Sequence, residues 1–218
     1  MSTPLNVVAL SGGTSRPSRT LALTEAILAE LAEHLHIKPH LIELGDIARP
    51  LGSALWRSEL PETVEQQLRL VEKADLLVVT TPVYRGSFTG HFKHLFDLIG
   101  QDTLVDTPVL LAATGGSERH ALVLDHQLRP LFSFLQALTL PIGVFASQAE
   151  LADYRVSSDA LAARIRLAAE RAVPLFGAHH ALQPGGCGRR GHRWTRDSRP
   201  VLPGWRTRRL AGSGLAGS

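Results

Sequence analysis

The sequence of 218 residues holds a single cysteine, Cys187, so no disulfide can form within the chain. That usage is compatible with a reducing cytoplasm and excludes the small disulfide-stapled folds. No apolar run approaches the ~18 to 20 residues that a membrane helix needs. The N-terminus passes into an apolar segment with no basic region before it, so neither a membrane span nor export is expected. No Ser/His/Asp or Cys/His grouping reads as a credible catalytic triad, and no catalytic acid, base or nucleophile is assigned. His179, His180, Cys187 and His192 could ligate a metal, but their spacing matches no standard zinc pattern, and no metal site is expected.

What is present is a chain that is 44% apolar, long enough to bury a full core, with strand-like and helix-like segments in alternation. That alternation implies one α/β unit over residues 1–177. The remainder, 178–218, is a different regime: eight arginines, no lysine and one acidic residue, Asp197, give it a net +7 and leave the rest of the chain at −4. It is rich in glycine and proline and lacks apolar periodicity, so disorder is expected.

Three apolar segments each run into a small or hydroxyl-rich loop: Leu5 to Leu10 into SGGTSRPSRT, Ala74 to Thr80 into TPVYRGSF, and Val109 to Ala113 into TGG. In an open parallel sheet, ligands settle outside the carboxyl ends of the strands, where strand order reverses. The first loop joins a strand to a helix whose opening amides have no partner within it, a ready place for an anion. Ser11, Ser15, Ser18 and Thr20 add hydroxyls, Gly12 and Gly13 let the backbone turn closely, and Arg16 and Arg19 bring positive charge. The loop is spelled neither G-x-G-x-x-G nor G-x-x-x-x-G-K-[ST], which points away from dinucleotides and triphosphates toward a mononucleotide phosphate. The competing reading is that Ser18 caps the helix and both arginines are solvated.

In the second loop Pro82 sets the direction in which the chain leaves its strand, and Tyr84 either packs on a flat heteroaromatic ring or is an ordinary half-buried loop tyrosine. In the third, Thr114, Gly115 and Gly116 leave room for a ring to lie against the backbone.

The rest of the pattern places a helix from Arg19 to Leu35 with Leu21, Leu28, Leu31 and Leu35 on one face, and a second strand near Pro39 to Leu44. An irregular stretch is expected from Ile47 to Pro61, then a helix from Glu62 to Lys73. After the third strand comes a phenylalanine-rich helix. A fourth strand runs from Pro108 to Ala113, a helix from Glu118 to Leu138, a fifth strand near Ile142 to Ala146, and a last helix from Ser158 to Phe176. Right-handed crossovers then give strand order 2-1-3-4-5, with the switch point between the first and third strands. Pro130 lies well inside the fourth-strand helix, where it removes one amide and crowds the carbonyl of His126, so the helix must bend or widen there.

The order S-G-G-T-S-R-P-S-R-T, T-P-V-Y-R-G-S-F-T-G, A-T-G-G-S-E-R-H and D-H-Q-L-R-P-L-F resembles the NAD(P)H-dependent FMN reductases that supply reduced flavin to sulfonate monooxygenases. The likeness is strongest to the methanesulfonate and alkanesulfonate branch and runs from about Leu5 to Phe176. It implies a flavodoxin-like three-layer sandwich around a five-stranded parallel sheet. It also implies FMN at the three loops, a nicotinamide donor that is NADH or NADPH with a leaning to NADH, and a homodimer or homotetramer. By motif position Ser11, Ser15, Arg16, Ser18, Arg19 and Thr20 would hold the phosphate. Pro82, Val83, Tyr84, Arg85 and Ser87 would line the ribityl chain and the isoalloxazine, and Thr114, Gly115 and Gly116 would face the ring's far edge. In the same family the helix containing His126 carries an inserted residue at a subunit interface. The resemblance therefore implies a role for His126 in assembly and flavin exchange, against the alternative of a merely kinked surface helix.

Two other functions compete: a flavoprotein that keeps its FMN and reduces quinones or azo compounds, and a non-enzymatic flavodoxin-like carrier or a module whose basic tail binds nucleic acid. Arginines in the phosphate loop favour the enzyme over the carrier, and any attraction of the tail to nucleic acid is expected to be non-specific.

Overall fold

The computed structural model describes residues 3–181, with side chains described to residue 177. Of the arginine-rich tail only the backbone of residues 178–181 is described, and it is helical; the expectations of disorder, nucleic-acid attraction and absent metal ligation for the remainder lie outside the described residues. In chain order the first half comprises β1 (Leu5–Ser11), α1 (Arg19–His34), β2 (Ile37–Glu43), α2 (Leu44–Ser53), α3 (Glu62–Glu72) and β3 (Leu76–Pro82). The second half comprises α4 (Gly90–Leu98), β4 (Pro108–Gly115), α5 (Arg129–Phe134), β5 (Leu138–Thr139), β6 (Val144–Ser147) and α6 (Asp159–Ala181). Within the second half a π-helical stretch, Leu124–Leu128, runs directly into α5.

The strands form one parallel sheet in the order β2-β1-β3-β4-β5, with β6 also paired to β4. β1, β3 and β4 are apolar almost throughout because both faces of the sheet are covered. Alternate residues serve opposite cores. Val7, Ala9, Leu76, Val78, Leu110 and Ala112 pack with α1 and α6. Val8, Leu10, Leu77, Val79, Val109 and Leu111 face α3, α4 and α5. Proline in a strand is tolerated where its missing N–H faces away from the ladder, and Pro39 lies on the edge strand β2.

Three local expectations are corrected. The Ile47 to Pro61 stretch is not irregular at its start: α2 runs through Pro50, because the buried Leu44, Ala48 and Leu51 make an apolar stripe worth more than the one bond the proline removes. The buried face of α1 is Thr20, Leu23, Thr24, Ile27 and Leu31, so of the expected leucines Leu31 lies in the core while Leu28 and Leu35 are only partly buried against it. Two threonines sit in the core there because their hydroxyls are bonded, Thr24 donating to the Thr20 carbonyl at 2.8 Å and Thr20 sharing a 2.9 Å bond with Thr114. Finally, the fifth strand position is split, giving six strands where five were expected. β5 pairs with Pro108 and Val109, and β6 with Ala112 to Gly115. Pro141 lacks the amide to continue the ladder, and a Cβ on Gly143 would stand 3.0 Å from the Leu111 carbonyl oxygen.

The segment after α2 is held by an ion cluster in which Arg57 donates to both oxygens of Glu65 at 3.0 Å and to Glu72. For Glu65 the bond from Arg57 outweighs burial and lowers its pKa. For Glu72 burial pulls upward, but the bonds from Arg57 and from the Gly100 N–H prevail, and its pKa also lies below the usual carboxylate value. Arg57 is correspondingly raised, first by Glu72 and then by Glu65. Carboxylates with depressed pKa stabilise the fold above the unfolded value of about 4.3, and that contribution is lost as pH falls through the folded value. Glu72→Gln is expected to cost about 2 kcal/mol at neutral pH. Its melting temperature should converge on that of the parent in scans taken progressively below pH 4.

Candidate functional site

The C-terminal ends of the strands finish level: Ser11 is opposite Thr80, Pro82 opposite Thr114, and Gly115 opposite Ser147. The loops that follow therefore leave from one rim, and between β1 and β3 the chain order reverses. There they surround an open cleft of about 190 Å³.

The first loop supplies Gly13, Ser15, Ser18, Arg19 and Thr20 to the wall. Ser18 is also the N-cap of α1, accepting from the Leu21 N–H at 3.1 Å, so the capping reading and the ligand reading hold together: its O–H remains free to donate. A Cβ on Gly12 would stand 2.9 Å from the Thr80 carbonyl oxygen, whose bond from the Gly12 N–H is 2.6 Å long, so β3 fixes the first turn of the loop. Arg19 is the only formal charge on the cleft wall among the described residues, and no carboxylate lines it. Its Nε is buried without a hydrogen-bond partner among those residues.

The second loop contributes Pro82, Val83 and Tyr84. Tyr84 and Ser87 exchange backbone bonds of 2.9 and 3.1 Å across Arg85 and Gly86, both with positive φ, at 53° and 84°. This is a two-residue hairpin turn of the I′ kind, in which glycine takes one left-handed position without steric cost. It projects Tyr84, which is half exposed, at the cleft edge. The third loop brings Thr114, Gly115 and Gly116, and the Thr20–Thr114 bond ties it to the first.

Four residues expected around a ligand are not on the cleft wall. Ser11 is buried at the end of β1, where its side chain belongs to the sheet. Arg16 turns away to pair with Glu43 at 2.8 Å and Asp46 at 3.0 Å, lining a neighbouring hollow. Arg85 occupies the exposed tip of the hairpin turn. Ser87 faces the π-helical stretch, donating to Gln127 Oε1 at 3.0 Å.

A fourth wall was not expected: Ser147 at the end of β6, Gln148 and Leu151 in and just after a short 3-10 turn, and Tyr154 in the kinked turn that follows. The signal was available, since this segment follows a fifth strand ending on the same rim. Glu150 anchors it, accepting from the Ser147 N–H at 2.9 Å, from Ser147 Oγ at 3.0 Å and from Arg164. Burial pulls the Glu150 pKa upward, but those bonds outweigh it and hold the carboxyl below its usual value.

The single helix expected from Glu118 to Leu138 is three pieces: a 3-10 turn at Glu118–His120, the π-helical stretch, and α5. The widened turn falls where Pro130 required a disturbance, with the Arg129 N–H reaching back five residues to the Leu124 carbonyl. His126 is exposed within it and, with Val83, Gly86 and Leu122, borders a shallow hollow beside the second loop.

A doubly wound sheet in this order, with a hydroxyl- and glycine-lined cleft at its switch point and one uncompensated arginine, defines a flavodoxin-like mononucleotide-binding protein. Residues 5–151 match the family model of the NADPH-dependent FMN reductases, and the chain belongs to that family. It is 97% identical over 183 residues to the NADH-dependent FMN reductase SfnE of Pseudomonas putida, covering 84% of this chain and 98% of that one. It is 63% identical over 182 residues to an FMN reductase (NADPH) of Pseudomonas aeruginosa, covering 84% and 98%. An oxidoreductase from Corynebacterium diphtheriae superposes with a TM-score of 0.70 at 33% identity, covering 81% of this chain and 99% of that one.

The residues present fit FMN. Arg19 carries an unpartnered donor, Ser15 and Ser18 offer hydroxyls at the helix N-terminus, and a Cβ on Gly116 would meet nothing within 4 Å, so the third loop leaves open space where a flat ring can lie.

Proposed function

We propose that this reductase takes hydride from NADH onto FMN in the cleft and releases the reduced flavin to a flavin-dependent monooxygenase of sulfonate metabolism, in the cytoplasm. The observation that carries the site is the meeting of the three loops around Arg19, which among the described residues is the one cation on a wall without carboxylates. Ser15, Ser18, Arg19 and Thr20 hold the phosphate by charge-assisted bonds. Pro82, Val83 and Tyr84 line the ribityl chain and one ring edge, and Thr114, Gly115 and Gly116 admit the ring against backbone. Flavin held there would supply the redox chemistry as acceptor of a hydride from the nicotinamide, and the protein would contribute alignment and close approach rather than an acid or base. NADH is the donor of the 97% identical relative, the NADH-dependent FMN reductase SfnE, which supports NADH here. Following NADH loss with added FMN tests the reading: saturation in FMN supports flavin as a substrate, and turnover only with a quinone present would replace it by a reductase that keeps its flavin.

His126 and the π-helical stretch are assigned to subunit assembly and to how freely flavin exchanges. Supporting this, Leu122 is 61% exposed beside His126, and the Ser87–Gln127 bond links the stretch to the loop that carries Tyr84. Deleting His126 should restore regular four-residue bonding ahead of α5. The variant is expected to sediment as a smaller assembly and to retain FMN through gel filtration. An unchanged sedimentation profile and unchanged flavin content would remove the assignment.

A further inference from the structure

The two arginines of the first loop are treated in opposite ways. Arg16 spends its charge on Glu43 and Asp46. Arg19 has no ion pair among the described residues; its guanidinium carbon lies 5.1 Å from the centroid of the Tyr154 ring. That is within the ~6 Å range of a cation–π contact. The distinction is chemical. A carboxylate consumes N–H donors and neutralises the cation, whereas an aromatic face leaves every in-plane donor available at the guanidinium edges.

The backbone that delivers Tyr154 is unusual. Asp153 and Tyr154 are consecutive non-glycine residues with positive φ, 47° and 58°. Such conformations are sterically costly for residues with a Cβ and persist where the surroundings over-determine them, which is characteristic of ligand clamps. Here the surroundings are identifiable. Arg155 N–H donates to the Ala152 carbonyl at 2.9 Å, Ser157 N–H to the Glu150 carbonyl at 3.0 Å, and Ala152 N–H to Ser157 Oγ at 3.2 Å. Strain is thus sustained at the residue whose ring meets the only cation on the cleft wall among the described residues.

We propose that Tyr154 is a positioning residue: its ring holds the Arg19 guanidinium with its donors directed into the cleft, and this creates the preference for a 5′-phosphorylated flavin over riboflavin. The inference rests on the reading that the cleft holds FMN. It assigns a task to a segment beyond the three strand-end motifs, and the hydroxyl of Tyr154 has no part in it.

The test compares kcat/KM for FMN and for riboflavin, with NADH as donor, in the parent protein and in Tyr154→Asn, Tyr154→Phe and Arg19→Ala. Asparagine tolerates positive φ, so Tyr154→Asn removes the ring without adding backbone strain. The FMN-to-riboflavin ratio is expected to fall about fivefold in Tyr154→Asn and to stay at the parent value in Tyr154→Phe, which keeps the aromatic face. Equal losses for both flavins in Tyr154→Asn would make Tyr154 a simple wall and overturn the proposal. So would a Tyr154→Phe variant that loses the preference. Arg19→Ala separates the layers of the argument. If it leaves the FMN preference intact, the phosphate site itself is misplaced; if it abolishes the preference while Tyr154→Asn preserves it, the positioning role alone is overturned.

Discussion

Replacing Ser18 and Arg19 together with alanine is expected to raise the Michaelis constant for FMN by roughly two orders of magnitude while moving that for NADH far less. The two side chains act on one ligand atom group by different routes. Arg19 brings the only formal charge on the described cleft wall, with an Nε that no atom of the described residues satisfies. Ser18 sits at the start of α1, where helix amides and a hydroxyl donor converge. Losing two charge-assisted contacts is worth about 3 kcal/mol, a factor of roughly 150. Ser18 is also an N-cap, so its removal should separately cost about 1 kcal/mol of stability. A melting curve measured alongside the kinetics distinguishes that loss from the loss of binding. Parallel increases for FMN and NADH would place the phosphate elsewhere.

The strand-ending loops were legible because their chemistry is local. A glycine pair followed by serines and an arginine at a helix start reads as an anion site in one dimension, and the level strand ends then bring Ser18, Tyr84 and Gly115 to one cleft. The ion pairs of Arg16 are not legible for a non-local reason: its carboxylate partners, Glu43 and Asp46, stand about 30 residues away and become neighbours only because β2 lies beside β1. Charge in a loop does not say which neighbour will claim it. The buried face of α1 was misread because threonine counts as polar in a periodicity argument, yet Thr20 and Thr24 are buried with their hydroxyls bonded. In α2 the opposite error occurred, proline being taken as a breaker where an apolar stripe overrides it. The widened turn near His126 was legible from Pro130 alone, because a proline inside a helix obliges the backbone to lose a bond somewhere.

The largest loss of stability from one substitution in this region is expected from Phe92→Ala, and it should reach the site as well as the core. Phe92 is fully buried on α4, in a run of aromatic contacts through Phe88, Phe96 and Phe132 with centroid separations of 5.7, 4.9 and 4.9 Å. Its N–H donates to Thr89 Oγ1 at 3.2 Å, the N-cap bond of the helix. Truncation leaves a cavity that rigid strands cannot collapse into, and costs about 4 kcal/mol. For a domain of this size that is a melting temperature lower by about 10 °C. The ring also forms the floor of the first loop, since a Cβ on Gly12 would stand 2.9 Å from it. Removing that floor loosens the turn that presents the phosphate donors. FMN affinity should therefore fall at temperatures where circular dichroism still reports a folded protein, and Phe92→Leu, which refills most of the space, should restore it. A Phe92→Ala protein that melts with the parent would show the aromatic run to be dispensable, and the loop would then owe its shape to β3 alone.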